Sequence, residues 1–331
     1  VAFRCVMTID MHCDLLSHPH FCRKDPAVRC SPEQLLSGGV RQQVCAIFVP
    51  HSRGEPNCDK QNSLFFSLPN QYPDIGLLSY EEEENGSSSQ KKSLSLIRSI
   101  ENASALGDDT APLGTLLAKL IHLTKQGPLA YLGIVWKGDN RFGGGTEAPK
   151  RLSNDGKVLL DIMYELGVPI DLSHCSDKLA EDILDYTADK LPNLAVIASH
   201  SNFRSVLDHR RNLVDAHAKE IVRRKGVIGL NLVRSYVGDS LGDLEKHVLH
   251  AENLGILSSI VLGSDFFYAN EDENFFFNEC SSAEAHPVLN QLIHRIFSKG
   301  KAESILSSRA EKFLKQVIVE QVNPKITDVK L

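Results

Sequence analysis

Thr8-Ile9-Asp10-Met11-His12-Cys13-Asp14 follows directly on Val6 and Met7, and the apolar, β-branched start of this run predicts a buried strand that ends in a histidine and a carboxylate. Along a strand, residues i and i+2 point to one face, so His12 and Asp14 can offer a nitrogen and an oxygen to a single point. That is how a strand presents two metal ligands. The same alternation places Asp10 one step deeper on that face as a supporting residue and turns Cys13 toward the outer layer. Taken alone, His-x-Asp also fits ordinary polar packing, and the rest of the chain has to decide.

Seven further apolar runs of strand length follow, at residues 43–49, 94–100, 129–135, 168–172, 194–198, 226–232 and 259–263. Between them lie helix-compatible stretches at 115–125, 155–166, 177–188, 215–224 and 241–254, with Asp155 and Asp177 as starts and Gly167 and Gly255 as stops. Eight short buried strands alternating with helices predict parallel βαβ units closed into a (β/α)8 TIM barrel. The expected organisation is one domain over residues 1–331, with C-terminal helices and a short tail. Residues 50–75, rich in Pro, Asn and Ser, are expected to be a long loop over one barrel mouth, and the charge-segregated stretch 81–92 a solvated surface segment.

The 331 residues, 42% hydrophobic and 24% charged, suffice for a sizeable core. A formal net charge of -6 and the absence of a basic stripe exclude nucleic acid as the main partner. No apolar run approaches the roughly 18 residues of a membrane span, and no signal-peptide pattern opens the chain. The eight cysteines are scattered without a CxxC pair, which favours reduced thiols and a cytoplasmic protein over a zinc ribbon.

In such a barrel the chemistry sits where strands end at the C-terminal mouth. The runs close on His12 and Asp14, Glu101, Trp136, His174, His200 and Asp265. Singly each has a plainer reading: His174 and His200 as core histidines, Glu101 as a partner of Arg98, Asp265 as a cap. Together they are three histidines and three carboxylates on five strand ends. Imidazole and carboxylate suit zinc or a similar divalent ion, and one carboxylate can bridge two ions. Two ions about 3.5 to 4 Å apart lower the pKa of a shared water toward about 7, giving a hydroxide that attacks amide or ester carbonyls. By contrast, His247 and His250, and the loop histidines His18, His20, His51, His209 and His217, are read as structural, and Gly143-Gly144-Gly145 lacks the spacing of a phosphate loop.

Seven stretches in order carry a resemblance: residues 10–14, 99–103, 170–176, 196–201, 210–215, 226–231 and 262–266, with a weaker helical match at 309–314. They resemble the membrane (renal) dipeptidase family of the amidohydrolase superfamily. The resemblance implies an amidohydrolase-like barrel acting as a zinc-dependent dipeptidase, with two zinc ions per chain, other divalent ions being an alternative. It implies that His12 and Asp14 bind the first zinc, His174 and His200 the second, and that Glu101 bridges both. Asp265 would shuttle the proton between the metal-bridging water and the leaving amine, and Arg211 would hold the substrate carboxylate, a salt bridge to Asp208 or Asp215 being its plainer reading.

Three positions depart from familiar members. Trp136 stands where they carry a substrate-contacting histidine, Phe267-Tyr268 replaces an Asp-Gly, and Val233 replaces a tyrosine that helps bind the carboxylate. Trp136 then contributes a wall or one donor to the substrate site. These departures keep open a related amidohydrolase acting on N-acyl amino acids, lactones or β-lactams, and a catalytically silent barrel with a binding role. The expected partner is a small dipeptide, without nucleic acid or membrane and with a homodimer left open.

Overall fold

Among the described residues, nine strands form one parallel sheet: β1 (Thr8–Cys13), β2 (Val40–Phe48), β3 (Ile75–Leu77), β4 (Leu94–Glu101), β5 (Leu129–Gly133), β6 (Ile170–Asp171), β7 (Val196–Ile197), β8 (Ile228–Leu230) and β9 (Ile260–Leu262). The structure is a computed structural model that describes residues 7–18, 25–50, 54–79, 92–270 and 273–322. Eight of the strands follow one another in the order β7-β6-β5-β4-β2-β1-β9-β8, and a bridge between Ala198 and Ile228 joins the ends into a ring. The chain is a (β/α)8 barrel. The short β3, absent from the sequence expectation, pairs only with β4.

Strands buried on both faces need apolar residues throughout, which is why the runs read as continuous. Inside, Ile9, Met11, Val44, Ile97, Tyr131, Ile197 and Val261 share a cluster with Phe313, Leu314 and Val317 of the helix Arg309–Val322. The other expected helices lie at Leu113–Gln126, Asn154–Leu166, Asp177–Lys190, Asp215–Arg223 and Asp243–Asn253. Ser153 and Ser176 accept from backbone N–H groups as N-caps, so Asp155 and Asp177 sit in the first turn, where a negative charge suits the helix dipole. Gly167 takes the left-handed C-cap conformation at φ 67°.

Two expectations fail. The loop expected over residues 50–75 is replaced in most of its length by a helix, Gly54–Gln71. Pro56 falls in its first turn, whose N–H groups have no partner within the helix, and Pro69 lies two residues before its end, where it removes one backbone donor close to the terminus. Its inward face carries Gln61 and Asn62, and those buried amides hide the apolar period. Gln61 bonds both the N–H and the carbonyl of Phe48, at 2.9 and 2.6 Å. Asn62 accepts from the buried Arg98, which also donates to the carbonyls of Leu123 and Gly127 and so faces away from Glu101.

Asp10 does not share the face of His12. Thr8 and Asp10 face the helix His286–Ile296, bonding Asn290 and His286, while Ile9 and Met11 join the barrel interior. The register between β1 and β2 breaks between Asp10 and Cys13, and this irregularity brings His12 back inward. Cys13 does turn outward, against Cys30 and Cys45.

The segment 81–91, the tail 323–331, Cys5, Cys22, His20 and His51 lie outside the described residues. Among the described residues, no helix is long and apolar enough to cross a membrane.

Candidate active site

All six candidate ligand and acid–base residues converge at the C-terminal mouth. His12, Asp14 and Glu101 bring one ligand atom each within 4.8 Å of one another, and so do Glu101, His174 and His200. Glu101 is common to these two groups, and His12, His200 and Asp265 form a third. Glu101 Oε2 lies 3.4 Å from His12 Nε2, and its Oε1 lies 2.9 Å from His174 Nε2 and 3.7 Å from His200 Nε2. One carboxylate thus turns an oxygen to each group of donors. Asp265 joins from β9, with Oδ1 3.6 Å from His12 Nε2.

The strand ends are bent to make this possible. His174 and Asp265 take positive φ, 68° and 62°, and neighbouring Asn102 takes 79°. Such conformations cost about 1 kcal/mol or more for residues other than glycine, and they free these side chains from strict alternation. Gly229 and Gly263 both lie under the end of β7, where a Cβ would overlap the Ser199 carbonyl and push His200 away. Cross-links between β1 and β9, from Asp14 N to the Phe266 carbonyl and from Asp265 N to the His12 carbonyl, fix the relative height of the two ends.

Hydrogen bonds also set which nitrogen of His12 and of His200 is free. Tyr131 Oη donates to the Met11 carbonyl and therefore accepts from His12 Nδ1, 2.7 Å away, which leaves the Nε2 lone pair facing the site. Ser199 Oγ donates to Asp171 and accepts from His200 Nδ1 at 2.6 Å, with the same outcome. Asp10 accepts from the N–H of His12 and from Ser264. Tyr131, Asp171 and Ser199 were not singled out from the sequence. A tyrosine in a fully buried run was the available signal, because its hydroxyl must find a partner.

His12 Nε2, Asp14 Oδ1 and Glu101 Oε2 are buried without a hydrogen-bond partner among the described residues. Such atoms are costly unless something completes them. The electrostatics agree. Burial, then Glu101, pushes the Asp14 carboxyl well above its ordinary range, and burial pushes Asp265 up to about 6 against the pull of His12. Burial and Arg211 bring His174 down to about 4, and burial with His12 lowers His200 strongly. His12 goes the other way, raised by Tyr131, Glu101 and Asp14 against burial, while the same burial at Glu101 is outweighed by His12 and His174. A divalent cation at this point favours charged carboxylates and neutral imidazoles, so the donor set fits such an ion.

A cavity of about 840 Å³ opens above these donors, lined by Asp14, Glu101, His174 and Asp265 together with Arg211 and Trp136. Arg211 makes no salt bridge to Asp208 or Asp215. Its Nη1 donates to Ser201 Oγ at 2.7 Å, its Nη2 to the His200 carbonyl at 3.0 Å, and its Nε has no partner among the described residues. His209, expected to be structural, lines the cavity and accepts from Arg211 N at 3.1 Å. Val233 does line the cavity, and the Tyr236 ring centroid lies 5.7 Å from the Arg211 guanidinium, so an aromatic side chain stands beside it three residues later. His247 packs between Phe203 N and the Val237 carbonyl, as a structural histidine should.

A parallel (β/α)8 barrel thus gathers three histidines and three carboxylates at its C-terminal mouth as a candidate metal-binding donor set. The chain belongs to the membrane dipeptidase family, peptidase family M19, which matches residues 3–323. Among curated relatives, it is 32% identical over 110 residues to an uncharacterised dipeptidase of Schizosaccharomyces pombe, covering 31% of this chain and 25% of that protein. It is 30% identical over 128 residues to a dipeptidase of Claviceps purpurea, covering 37% and 29%. The matched stretch thus spans under a third of either relative. In fold it is similar to a metallopeptidase of Rhodobacter sphaeroides solved with a phosphinate mimic of the dipeptide L-Ala-D-Ala, at TM-score 0.77 and 19% identity over 94% of this chain and 99% of that one.

Proposed function

We propose that the chain, acting as one hydrolase unit over residues 1–331, is a zinc-dependent dipeptidase. The observation that carries this reading is Glu101, with one oxygen turned to His12 and Asp14 and the other to His174 and His200. His12 and Asp14 would hold one ion and His174 and His200 the other, with Glu101 common to both. Bound there, a pair of zinc or similar divalent ions supplies the Lewis acidity that activates water near neutral pH. The chain's own residues do the rest. Arg211, with one edge of its guanidinium anchored and Nε free, takes the substrate carboxylate. Asp265 takes a proton at Oδ1 and returns it to the leaving amine. Trp136 walls the cavity beside His174, with ring centroids 6.2 Å apart. The cytoplasmic setting expected from the scattered cysteines belongs to the same proposal.

Elemental analysis and a panel of L,L and L,D dipeptides test it. The purified chain is expected to carry about two zinc ions and to release free amino acids in a chelator-sensitive way. Metal-loaded, folded protein that leaves the whole panel untouched would end the proposal. A second reading, an amidohydrolase of N-acyl amino acids, lactones or β-lactams, is favoured by the aromatic lining at Trp136 and Phe267 and is separated by comparing turnover of those compounds with dipeptides.

Tyr131→Phe removes the acceptor that orients His12. Loss of such an orienting partner is expected to weaken metal affinity or turnover by about 10- to 100-fold. Zinc titration against a competing chelator measures it, and an unchanged affinity together with unchanged turnover would show that the hydroxyl does not orient the ring.

A further inference from the structure

We infer that the cavity selects dipeptides whose N-terminal residue carries an aromatic or large apolar side chain, held against a wall made by Phe48 and Trp136. This rests on the dipeptidase reading above and goes on to name the substrate within it. In a ring of eight strands, those four places apart lie opposite one another, and β2 and β7 are four places apart. Phe48 ends β2, and Arg211 lies in the segment after β7. With the substrate carboxylate on Arg211 and the scissile carbonyl over the shared Glu101, the N-terminal residue is left to the Phe48 side.

That side carries two packed aromatic rings. Phe48 meets Trp136 edge to face, with ring centroids 5.0 Å apart, and both are half-buried and line the cavity. Two contacts hold the pair in place. Gln61 grips both backbone polar groups of Phe48, and the Lys137 ammonium covers the Trp136 ring at 4.7 Å. A pre-formed aromatic wall gains from an apolar side chain without first having to order itself. The rival occupant is an acidic side chain, which the exposed Lys60 and Lys137, both lining the cavity, could attract. An exposed ion pair is worth little, whereas apolar contact in a formed pocket discriminates by about 10- to 200-fold.

The experiment compares kcat/KM of the zinc-loaded protein for Phe-Ala, Leu-Ala, Asp-Ala and Gly-Ala. Phe-Ala is expected to exceed Gly-Ala by about 10-fold or more, with Asp-Ala below both apolar substrates. Phe48→Ala should shrink the Phe-Ala to Gly-Ala ratio by about 10-fold, and Phe48→Leu, which keeps an apolar side chain, should retain most of it. A flat profile with brisk turnover, a preference for Asp-Ala, or a ratio untouched by Phe48→Ala overturns this inference and leaves the dipeptidase reading standing. Turnover of no dipeptide at all overturns that reading, and this inference with it.

Discussion

Glu101→Gln is expected to leave at most one firmly bound ion per chain and to cut kcat/KM by more than about 100-fold, beyond the loss seen when a supporting residue is removed. The reason is the division of labour between its oxygens. Oε2 faces His12, and Oε1 faces His174 and His200. An amide of the same shape keeps an oxygen for one side and turns an NH2 donor toward the other, which repels a cation and leaves that pair of ligands incomplete. Stability gives a readout separate from turnover. A ligand present at a hundred times its dissociation constant stabilises a one-site protein by about 2.7 kcal/mol, so zinc should raise the unfolding temperature of the native chain clearly and that of the variant less. Equal zinc stoichiometry and an equal thermal shift in the two proteins would show that Glu101 is not shared.

The barrel was legible because its strands are buried on both faces, and a buried parallel strand announces itself as an apolar run. The candidate ligands were legible for a related reason: each lies at or just beyond the end of such a run, and the barrel brings those positions to one mouth. What escaped the sequence has particular causes. The helix Gly54–Gln71 turns Gln61 and Asn62 inward to bond Phe48 and Arg98, so its buried face is polar. Asp10 was placed by strict alternation, and the register break between β1 and β2 undoes that alternation just before His12. His174 and Asp265 rely on positive φ, which no period reveals. Tyr131 acts on the ring nitrogen of His12, 119 positions away, and Asp171 reaches His200 only through Ser199, 28 positions from it, separations that no local motif joins.

Asp265→Asn is expected to lower kcat by about 10²- to 10⁴-fold, the usual range for loss of a general acid–base group, with zinc content nearly unchanged. Asn231 explains why so conservative a change should be so damaging. Its Nδ2 donates to Asp265 Oδ2 at 2.7 Å while its Oδ1 is taken by Val233 N, so it can only donate toward residue 265. An asparagine there must turn its carbonyl to Asn231 and its NH2 to the cavity, where Oδ1 of the native carboxylate lies 3.6 Å from His12 Nε2. A proton acceptor is thereby replaced by a donor at the one atom that faces the substrate. In the native chain the carboxylate oxygen at that atom can take a proton in one step and return it in the next. Metal held by His12, Asp14, Glu101, His174 and His200 does not depend on that exchange, so the variant should separate metal binding from turnover. The measurement is kcat beside elemental analysis on the same preparation. A kcat within a few-fold of native would assign the proton to another group, and a parallel loss of zinc would make Asp265 a ligand instead.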